Sequence, residues 1–509
     1  MNQEISNTDK QLLFWASFLA LLAAGVGFVF RVMVLGTWQD EFGLTGAEVG
    51  RIFGASLWPI AVTMILFSLV VDKIGYKVSI YCAFALQALS AVLTFIAKDT
   101  TSLYFAAFCA GLGHGVVEAV INPVCASIYN KDKSKWLTIL HASWPAGLVI
   151  GGILMLAPGL SALSWQVQGL WILLPVVAYG LMFIKPKFPV DERVAARVPY
   201  SDMLKEVGFL GAFFASFLLA YELYRVTADL LGNPEPSNLL LVSIVVGVVI
   251  GAAFGLFTKS LGKPLYFLLC VIMVPLATTE LGTDAWIKEL MTPTMGELAG
   301  WAIVASAFIM MILRFQVGLL TKRFSPPFIL VISSFFSFCG LMTLSVSAGA
   351  AVWFAFVLYA VGQTFYWPMV LGLASEQFPK GGALTLNMIT AVGLLAVGII
   401  GTPIMGAFSD NHTVNNVKDV SVEIYESSKT EASFFGATYD SIDREKASEL
   451  ALASGLEAQL TAATNEASRQ SLRTTAYAFP LVMLFAFIAL TVYYRARGGY
   501  KPIELGIDA

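Results

Sequence analysis

Charged side chains are scarce in this chain of 509 residues, since Asp, Glu, Lys and Arg make up only 13% of it. A soluble globular protein has about 25%. Hydrophobic residues make up 57%, and apolar runs of about 20 residues, long enough to cross a bilayer core, recur along the whole sequence. The composition therefore excludes a soluble globular protein and predicts an integral, multi-pass protein of the lipid bilayer.

Histidine and cysteine are also few, with three and five residues. All five cysteines lie in apolar runs, where a thiol behaves as a small hydrophobic group, so neither a disulfide framework nor a metal site is predicted. The sequence has no Walker loop and no nucleophile elbow, which predicts a protein without a cofactor that is not an enzyme. The net charge of −3 gives no reason to expect that the protein binds nucleic acid.

Fourteen apolar spans are predicted from hydropathy and from the charged, proline and glycine residues that separate them. They lie near residues 12–35, 47–71, 77–97, 102–129, 136–157, 166–184, 207–231, 238–258, 264–291, 298–321, 326–346, 350–375, 382–408 and 474–495. Because each span is long enough for a helix, and an outer-membrane barrel would show alternating segments of about ten residues, the fold class is an all-α membrane protein.

One long polar segment, residues 410–473, interrupts the short connections between spans. Its second part is rich in Ala, Leu, Glu and Gln and has no proline, which predicts a soluble helix or helical hairpin. The segment is either a solvated insertion, or a lid or docking element for a partner.

Lysine and arginine cluster in alternate loops, and this bias predicts the orientation in the membrane. If the N-terminus is cytoplasmic, the short outer loops contain only two basic residues, Lys98 and Lys288. The other Lys and Arg residues of the short loops then lie on the cytoplasmic side. Both termini are therefore predicted to be cytoplasmic, with residues 410–473 outside, in a bacterial inner (plasma) membrane.

A charged motif connects spans 2 and 3: Ser68 is followed by Asp72, Lys73, Gly75 and Lys77. Asp72 near one helix end and the lysines beyond it can form ion pairs that hold one side of a transporter closed. The order of small residue, aspartate, basic residue, glycine and basic residue resembles the signature of the major facilitator superfamily, with Ser68 where glycine is usual. We call Asp72, Lys73, Gly75 and Lys77 the gating motif.

A degenerate copy of this motif follows span 10, with Arg314, Gly318, Lys322 and Arg323, and is predicted to lie on the cytoplasmic side. Matching loops in two halves are typical of transporters built from internal repeats. The resemblance covers almost the whole chain and implies the major facilitator fold. Its two six-helix halves would be residues 1–184 and 259–509, joined by a cytoplasmic linker (185–206) and an inserted helix pair (207–258).

Span 4 carries His114, Glu118 and Asn122 at i, i+4 and i+8, which places them on one helix face. A carboxylate inside a membrane is costly and therefore indicates a functional site. The order of Glu, three residues, Asn and Pro resembles span 4 of the fucose-galactose-glucose proton symporters. This resemblance implies that Glu118 is the proton-linked carboxylate and Asn122 a ligand of sugar hydroxyls. His114 is either a site residue or a structural histidine.

Span 1 departs from those symporters, because it carries Arg31 where they have an aspartate. A cation inside the membrane needs a counter-charge or an anionic ligand. Two alternatives follow: Arg31 pairs with Glu118 and shares in proton coupling, or Arg31 binds an anionic substrate.

Further candidates for substrate binding are polar or aromatic residues within spans 5, 9, 12 and 13. They are His141, Trp144, Glu280, Gln363, Trp367 and Asn387. Amides and carboxylates beside aromatic rings suit sugars, whose hydroxyls need hydrogen-bond partners and whose C–H faces stack on rings. For Glu280 the alternative is an interfacial belt, in which acidic residues and Trp286 lie at the headgroup edge.

These features together predict a secondary active transporter that moves a small polar solute by alternating access. A sugar in symport with protons is the favoured substrate. The alternatives are an organic-anion or nucleoside carrier that uses Arg31, and a membrane receptor without transport activity whose function resides in residues 410–473.

Overall fold

The computed structural model describes residues 5–44, 46–284, 300–435 and 437–505, which are mostly helical. The N-terminal helices are α1 (Asn7–Phe42), α2 (Glu48–Ile74), α3 (Tyr76–Ile96), α4 (Thr100–Ile128), α5 (Lys133–Leu156) and α6 (Trp165–Met182). They are followed by α7 (Tyr200–Leu230), α8 (Leu239–Thr258), α9 (Pro264–Gly282), α10 (Gly300–Phe315), α11 (Pro326–Leu344), α12 (Ala351–Gln377) and α13 (Pro379–Val420). Short breaks interrupt α2, α5 and α12.

The helices agree with the fourteen predicted spans in number and order. In the part of the chain that the structure describes, thirteen helices are long and apolar enough to cross a membrane, and a shorter apolar helix covers Ile303–Phe315. The predicted ends of spans 9 and 10, at 285–291 and 298–299, lie outside the described residues, as do Trp286 and Lys288.

Residues 410–473 fold into a small unit that continues two membrane helices. After α13 come α14 (Val422–Ser428), β1 (Lys429–Phe434), β2 (Ala437–Ile442), α15 (Arg444–Ala453) and α16 (Glu457–Ala496). The predicted helical hairpin is confirmed in α15 and the first part of α16, whereas the antiparallel pair β1–β2 was not predicted. The unit buries its own apolar cluster, which includes Val417, Tyr425 and Leu460.

Two groups of helices form the membrane body. Helices α1 to α6 pack together as the first half, and α9 to α13 pack with α16 as the second half. The halves meet where α2 packs on α13 and where α5 packs on α10. Helices α7 and α8 pack on each other, and α7 also lies against α13 and α2, at the side of both halves.

Glycines allow α1 and α5 to approach each other closely. A Cβ atom on Gly25 would lie 2.6 Å from the carbonyl oxygen of Trp144, and one on Gly147 would lie 2.4 Å from the carbonyl oxygen of Leu22. Only a residue without a side chain fits such a contact. The approach places Trp144 beside α1, where its ring meets that of Phe28 at a centroid distance of 5.2 Å.

The bundle has two ends that differ in structure. At the terminal end lie the connections after α2, α4, α6 and α12, together with residues 497–505 of the C-terminal segment. At the insertion end lie the connections after α1, α3 and α5 and the folded unit of residues 410–473.

Candidate functional site

The centre of the first half is a polar face on α4. Glu118 is only 6% exposed and Asn122 is fully buried, as their spacing along one helix face predicts. Gly115 lets this helix lie directly on α2, because a Cβ there would be 2.4 Å from the carbonyl oxygen of Ile60. Close packing of α4 on α2 thus helps to hold the carboxylate of Glu118 inside the bundle.

A chain of hydrogen bonds runs from this face to α5. The Asn122 Nδ2 donates to Glu118 Oε2 at 2.7 Å, and its Oδ1 lies 3.0 Å from His141 Nε2. The His114 Nε2 lies 3.8 Å from Glu118 Oε1, and its ring stacks on that of Trp144 with centroids 5.2 Å apart. The sequence-predicted residues of spans 4 and 5 therefore form one connected polar cluster.

The second half contributes a buried ion pair. The Arg314 Nη2 donates to Glu280 Oε1 at 2.8 Å, and the backbone N–H of Trp367 donates to Glu280 Oε2 at 3.3 Å. Glu280 lies in a π-helical turn of α9, Thr278–Gly282, a feature that is frequent at functional sites. The break in α12 near Thr364 frees a carbonyl oxygen that accepts from Arg314 Nε at 2.7 Å.

The prediction that Arg314 belongs with Lys322 and Arg323 to a loop motif is wrong, because Arg314 lies within α10. Its side chain is 1% exposed and extends between the halves, where Nη1 donates to the backbone oxygen of His141 at 2.8 Å. A buried guanidinium needs a carboxylate and several acceptors, and Glu280 with two backbone carbonyls supplies them here. The signal that could have found it is the same as for Arg31: an arginine within an apolar run.

Both clusters face one central cavity of about 60 Å³ between the halves. Its lining residues come from α4, α5, α9, α10, α12 and α13, and are His114, Glu118, His141, Trp144, Glu280, Leu281, Arg314, Trp367, Thr390 and Leu394. This lining includes six of the residues predicted for substrate binding or proton coupling, together with Arg314 of the predicted degenerate motif and Thr390. None of the described lining residues comes from α7 or α8.

Three predicted substrate ligands lie behind the cavity wall. Asn122 is held by Glu118 and His141, as described above. The Gln363 Nε2 donates to Asp284 Oδ1 at 3.0 Å and to Ser306 Oγ at 2.9 Å. The Asn387 Nδ2 donates to the backbone oxygen of Ala119 at 3.2 Å, which links the second half to the first. In this conformation these amides support the site without lining it.

Arg31 does not pair with Glu118, so that alternative is wrong for this structure. Arg31 lines a different cavity, between α1, α3, α5 and α6. The described contacts of Glu118 are with His114 and Asn122 instead. The physical reason is helix rotation: Arg31 lies on the face of α1 that meets α3 and α6, whereas α4 and α5 surround Glu118.

The gating motif contacts residues 184–200 at the terminal end, and we call this set of contacts the clasp; its role in gating stays a prediction. Gly75, with φ of +91°, ends α2 so that the chain turns into α3. Asp72 forms an ion pair with Arg193 of the linker. Lys73 Nζ lies 4.1 Å from the centroid of the Tyr200 ring, and Lys77 Nζ donates to the backbone oxygen of Ile184 at 2.7 Å.

The linker contributes a buried carboxylate, that of Asp191, beside these contacts. Asp191 accepts from the hydroxyl of Tyr76 at 2.9 Å and from the backbone N–H of Arg193 at 2.9 Å. Burial raises the pKa of the Asp191 carboxyl, although the Tyr76 hydrogen bond and the Arg193 charge oppose this. The linker therefore docks on the first half through specific polar contacts.

Lys322 and Arg323, the remaining residues of the degenerate motif, line a basic pocket of about 500 Å³ at the terminal end. Lys131 and Lys135 of the first half line the same pocket. Lys322 and Arg323 thus lie in the connection between α10 and α11, whereas Arg314 lies within α10. The gating role of Lys322 and Arg323 stays a prediction.

Polar contacts close the terminal end between the halves. Glu376 Oε1 accepts from the backbone N–H of Ser134 at 2.9 Å and from its hydroxyl. Glu376 Oε2 accepts from the hydroxyl of Tyr500 at 2.6 Å. Lys133 forms an ion pair with Glu192 and also contacts the backbone oxygen of Ser375. The structure is thus a conformation in which this end of the bundle is shut.

Solved structures of membrane transporters share this architecture. The fucose:proton symporter of E. coli has a TM-score of 0.57 and 15% identity, over 94% of this chain and 98% of that chain. A bacterial homologue of the human lysosomal transporter Spinster has a TM-score of 0.59 and 14% identity, over 98% and 100%. A human organic anion transporter has a TM-score of 0.58 and 12% identity, over 94% and 99%. Identities this low show a common fold.

The sequence itself identifies the family. Comparison with curated protein sequences gives no match. The family model described as Major Facilitator Superfamily, however, matches residues 13–402, which is well over half of the chain and includes the gating motif and both clusters of the central cavity. The protein therefore belongs to the Major Facilitator Superfamily of membrane transporters.

Proposed function

We propose that this transporter moves a small polar solute, most consistently a sugar, in symport with protons. The observation that carries the proposal is the state of Glu118, a buried carboxylate that lines the central cavity and contacts His114 and Asn122. No lysine or arginine of the described residues forms an ion pair with it. Its charge can therefore change without the loss of a fixed partner.

The two carboxylates of the cavity differ in a way that assigns separate roles. Glu280 is tied to Arg314 at 2.8 Å, and removal of its charge would leave a buried cation uncompensated, which is costly. Glu118 instead shares a hydrogen-bonded chain with Asn122 and His141. Groups joined in this way can accept and release one proton locally, so we assign proton coupling to Glu118 and a fixed ion pair to Glu280.

Aromatic rings and polar groups in the cavity favour a sugar. Trp144, stacked on His114, and Trp367 offer flat apolar faces for C–H groups. Glu118 and Thr390 offer acceptors and a hydroxyl for a substrate that carries several hydroxyl groups. A cavity of about 60 Å³ is smaller than a sugar, so substrate entry requires that the halves separate, as alternating access provides.

An anionic substrate is less favoured by these contacts. Arg31, which that alternative required, lies outside the central cavity. Arg314 does line it, but its guanidinium is already bonded to Glu280, Thr364 and His141. The cavity thus presents no unpaired described cation to a carboxylate ligand, although a human organic anion transporter shares the fold.

The orientation in the membrane and the role of α7 and α8 belong to the same proposal. The lysine and arginine bias supports a cytoplasmic position for the terminal end, with residues 410–473 outside. The side position of α7 and α8, together with the Glu222–Arg225 pair at 2.8 Å within α7, supports their role as an inserted pair outside the transport path. Transport then requires that the contacts of Ser134 with Glu376 and of Lys133 with Ser375 break as the terminal end opens.

The test is Glu118→Gln in proteoliposomes with an imposed pH gradient, assayed with radiolabelled L-fucose, D-xylose, a nucleoside and a dicarboxylate. Gln keeps the acceptor oxygen for Asn122 but cannot exchange a proton. The variant should bind and exchange the transported solute with a pH-independent affinity, and it should fail to accumulate that solute against its gradient.

Glu222→Gln is the matched control, since Glu222 is also a buried carboxylate of a membrane helix but does not line the central cavity. Its uptake should follow the pH gradient as in the parent protein. Uphill accumulation by Glu118→Gln at the parental level would contradict proton coupling through Glu118. Selective uptake of the dicarboxylate would contradict the sugar assignment.

A further inference from the structure

Arg31 lines a second cavity, separate from the central one, inside the first half. Gly27 and Arg31 of α1, Ser90 and Thr94 of α3, and Gln168 of α6 contribute to its wall. None of its lining residues lines the central cavity. The proposed transport site therefore does not account for Arg31.

No described residue compensates the charge of Arg31. Its Nε is buried and has no hydrogen-bond partner, and no carboxylate of the described residues lies within ion-pair distance. Three other arginines in the membrane helices each have one: Arg314 pairs with Glu280, Arg51 with Asp229 and Arg225 with Glu222. An uncompensated cation inside a membrane is costly unless a counter-charge is bound.

The wall of the cavity is suited to an anion. It contains no acidic residue, and its polar side chains besides Arg31 are two hydroxyls, an amide and the indole of Trp171. The hydroxyls and the amide already donate to backbone oxygens: Ser90 Oγ to Ala106 O at 2.7 Å, Thr94 Oγ1 to Ser90 O at 2.8 Å, and Gln168 Nε2 to Leu160 O at 3.2 Å. The guanidinium of Arg31 is thus the charged group left to bind a ligand.

The size of the cavity limits the ligand to a small ion. Its volume is about 10 Å³, which is room for about one water-sized particle. Gly27 is needed for this space, since a Cβ there would lie 2.8 Å from Ile172 Cδ1 and 3.4 Å from Arg31 Nη1. Among inorganic anions, a halide needs the least space beside the guanidinium, whereas a phosphate or carboxylate group is larger.

We propose that this cavity is a binding site for a small monovalent inorganic anion, chloride under physiological conditions, which neutralises Arg31. The site is distinct from the proposed sugar site, and its occupation requires no transported solute. The two can therefore be tested independently.

The first experiment measures thermal unfolding of the purified protein without substrate, with sodium chloride replacing sodium gluconate at constant ionic strength. A ligand that binds the folded state stabilises it in a saturable manner, so the Tm should rise with chloride and level off. Bromide should act like chloride, because the ions have similar size. Arg31→Gln should lose the response. Gly27→Ala narrows the cavity, so it should raise the chloride concentration that gives half of the Tm increase at least tenfold.

Arg51→Gln is the control, because Arg51 is paired with Asp229 at 3.0 Å and needs no anion. It should keep the parental chloride response. If Arg31→Gln does not fold, Arg31→Lys retains the charge and should show a weaker but saturable response. An unchanged chloride response in Arg31→Gln, or none in the parent protein, would overturn the proposal.

The second experiment locates the ion and separates the possible sources of negative charge. Crystals grown in bromide should show an anomalous peak beside the Arg31 guanidinium. In nanodiscs, the chloride response should be the same with neutral phosphatidylcholine and with phosphatidylglycerol. A response that appears only with phosphatidylglycerol, with no bromide peak at Arg31, would assign the cavity to a lipid headgroup and refute the halide site.

Discussion

Arg314 of the second half donates from Nη1 to the backbone oxygen of His141 in the first half at 2.8 Å. The same guanidinium is paired with Glu280 at 2.8 Å. Because His141 also contacts Asn122, and Asn122 contacts Glu118, the fixed ion pair of one half is connected to the Glu118 cluster of the other. A change at Glu118 can therefore reach the contact between the halves through three hydrogen bonds.

Removal of Arg314 tests the strength of this buried pair. Arg314→Met should destabilise the protein by about 3–5 kcal/mol, because Glu280 is left buried without a cation. The double variant Arg314→Met/Glu280→Gln should recover part of this loss, since Gln can still accept from the Trp367 N–H. Both should fail to transport. Thermal unfolding in detergent measures the stability.

Arg225→Gln is the matched control for that experiment. The Arg225 side chain is 44% exposed, so water solvates its charge and its pair with the buried Glu222 should contribute less than the Arg314–Glu280 pair, in which both side chains are buried. Similar destabilisation by Arg225→Gln and Arg314→Met would show that burial of the Arg314–Glu280 pair does not increase the stability lost when the arginine is removed.

The sequence predicted the fold and the Glu118 site for clear physical reasons. Apolar runs predict membrane helices directly. The i, i+4 spacing of His114, Glu118 and Asn122 predicts a shared helix face, whichever helices pack against it. The contacts of Glu118 with His114 and Asn122 are local to one helix. Such relations are encoded within about two helical turns of sequence.

The partners of the two arginines could not be predicted in the same way. Arg31 and Arg314 both lie in apolar runs, but their environments depend on how each helix is rotated against others. Arg314 meets Glu280 across 34 positions and His141 across 173, and hydropathy contains no information on such pairings. The basic residues Lys322 and Arg323 near Arg314 in sequence suggested a loop, whereas tertiary packing turned the Arg314 side chain inward.

The close contact of α1 with α5 predicts opposite effects for two glycines of the same helix. Gly25→Ala should destabilise the protein by about 1–3 kcal/mol, because the new methyl group would overlap the carbonyl oxygen of Trp144. Gly36 has nothing within 4 Å of a Cβ position, so Gly36→Ala should stabilise the helix by up to about 1 kcal/mol. Thermal unfolding of the two variants compares them directly, and equal effects would contradict the packing described here.

The C-terminal segment should regulate opening of the terminal end. Tyr500 donates to Glu376 Oε2 at 2.6 Å, and the N–H of Ile503 donates to the Glu376 backbone oxygen at 2.8 Å. A hydrogen bond to a charged group contributes about 1.5–3 kcal/mol. Because Tyr500 and Glu376 both belong to the second half, this bond holds the C-terminal segment over the closed end. Tyr500→Phe should therefore increase the population in which that segment is released, and this end accessible, roughly tenfold or more.

Alkylation of a cysteine at position 375 measures that opening, because Ser375 is buried at the terminal end. The Ser375→Cys protein should react faster when it also carries Tyr500→Phe, as followed by mass spectrometry of the labelled peptide. Tyr493→Phe is the control, since Tyr493 is 39% exposed and its ring contact with Arg497 survives the change. Equal alkylation rates in the Tyr500 and Tyr493 variants would show that the C-terminal segment does not control access to the terminal end.

The orientation of the chain is testable at two exposed loop positions. Ser454 lies between α15 and α16, and Lys131 lies between α4 and α5, both with exposed side chains. Because the lysine and arginine bias places the terminal end in the cytoplasm, Ser454→Cys should react with an impermeant maleimide on intact cells. Lys131→Cys should react only after the cells are permeabilised. The parent protein, which has an exposed Cys82, sets the background, and labelling of Lys131→Cys alone on intact cells would place both termini outside.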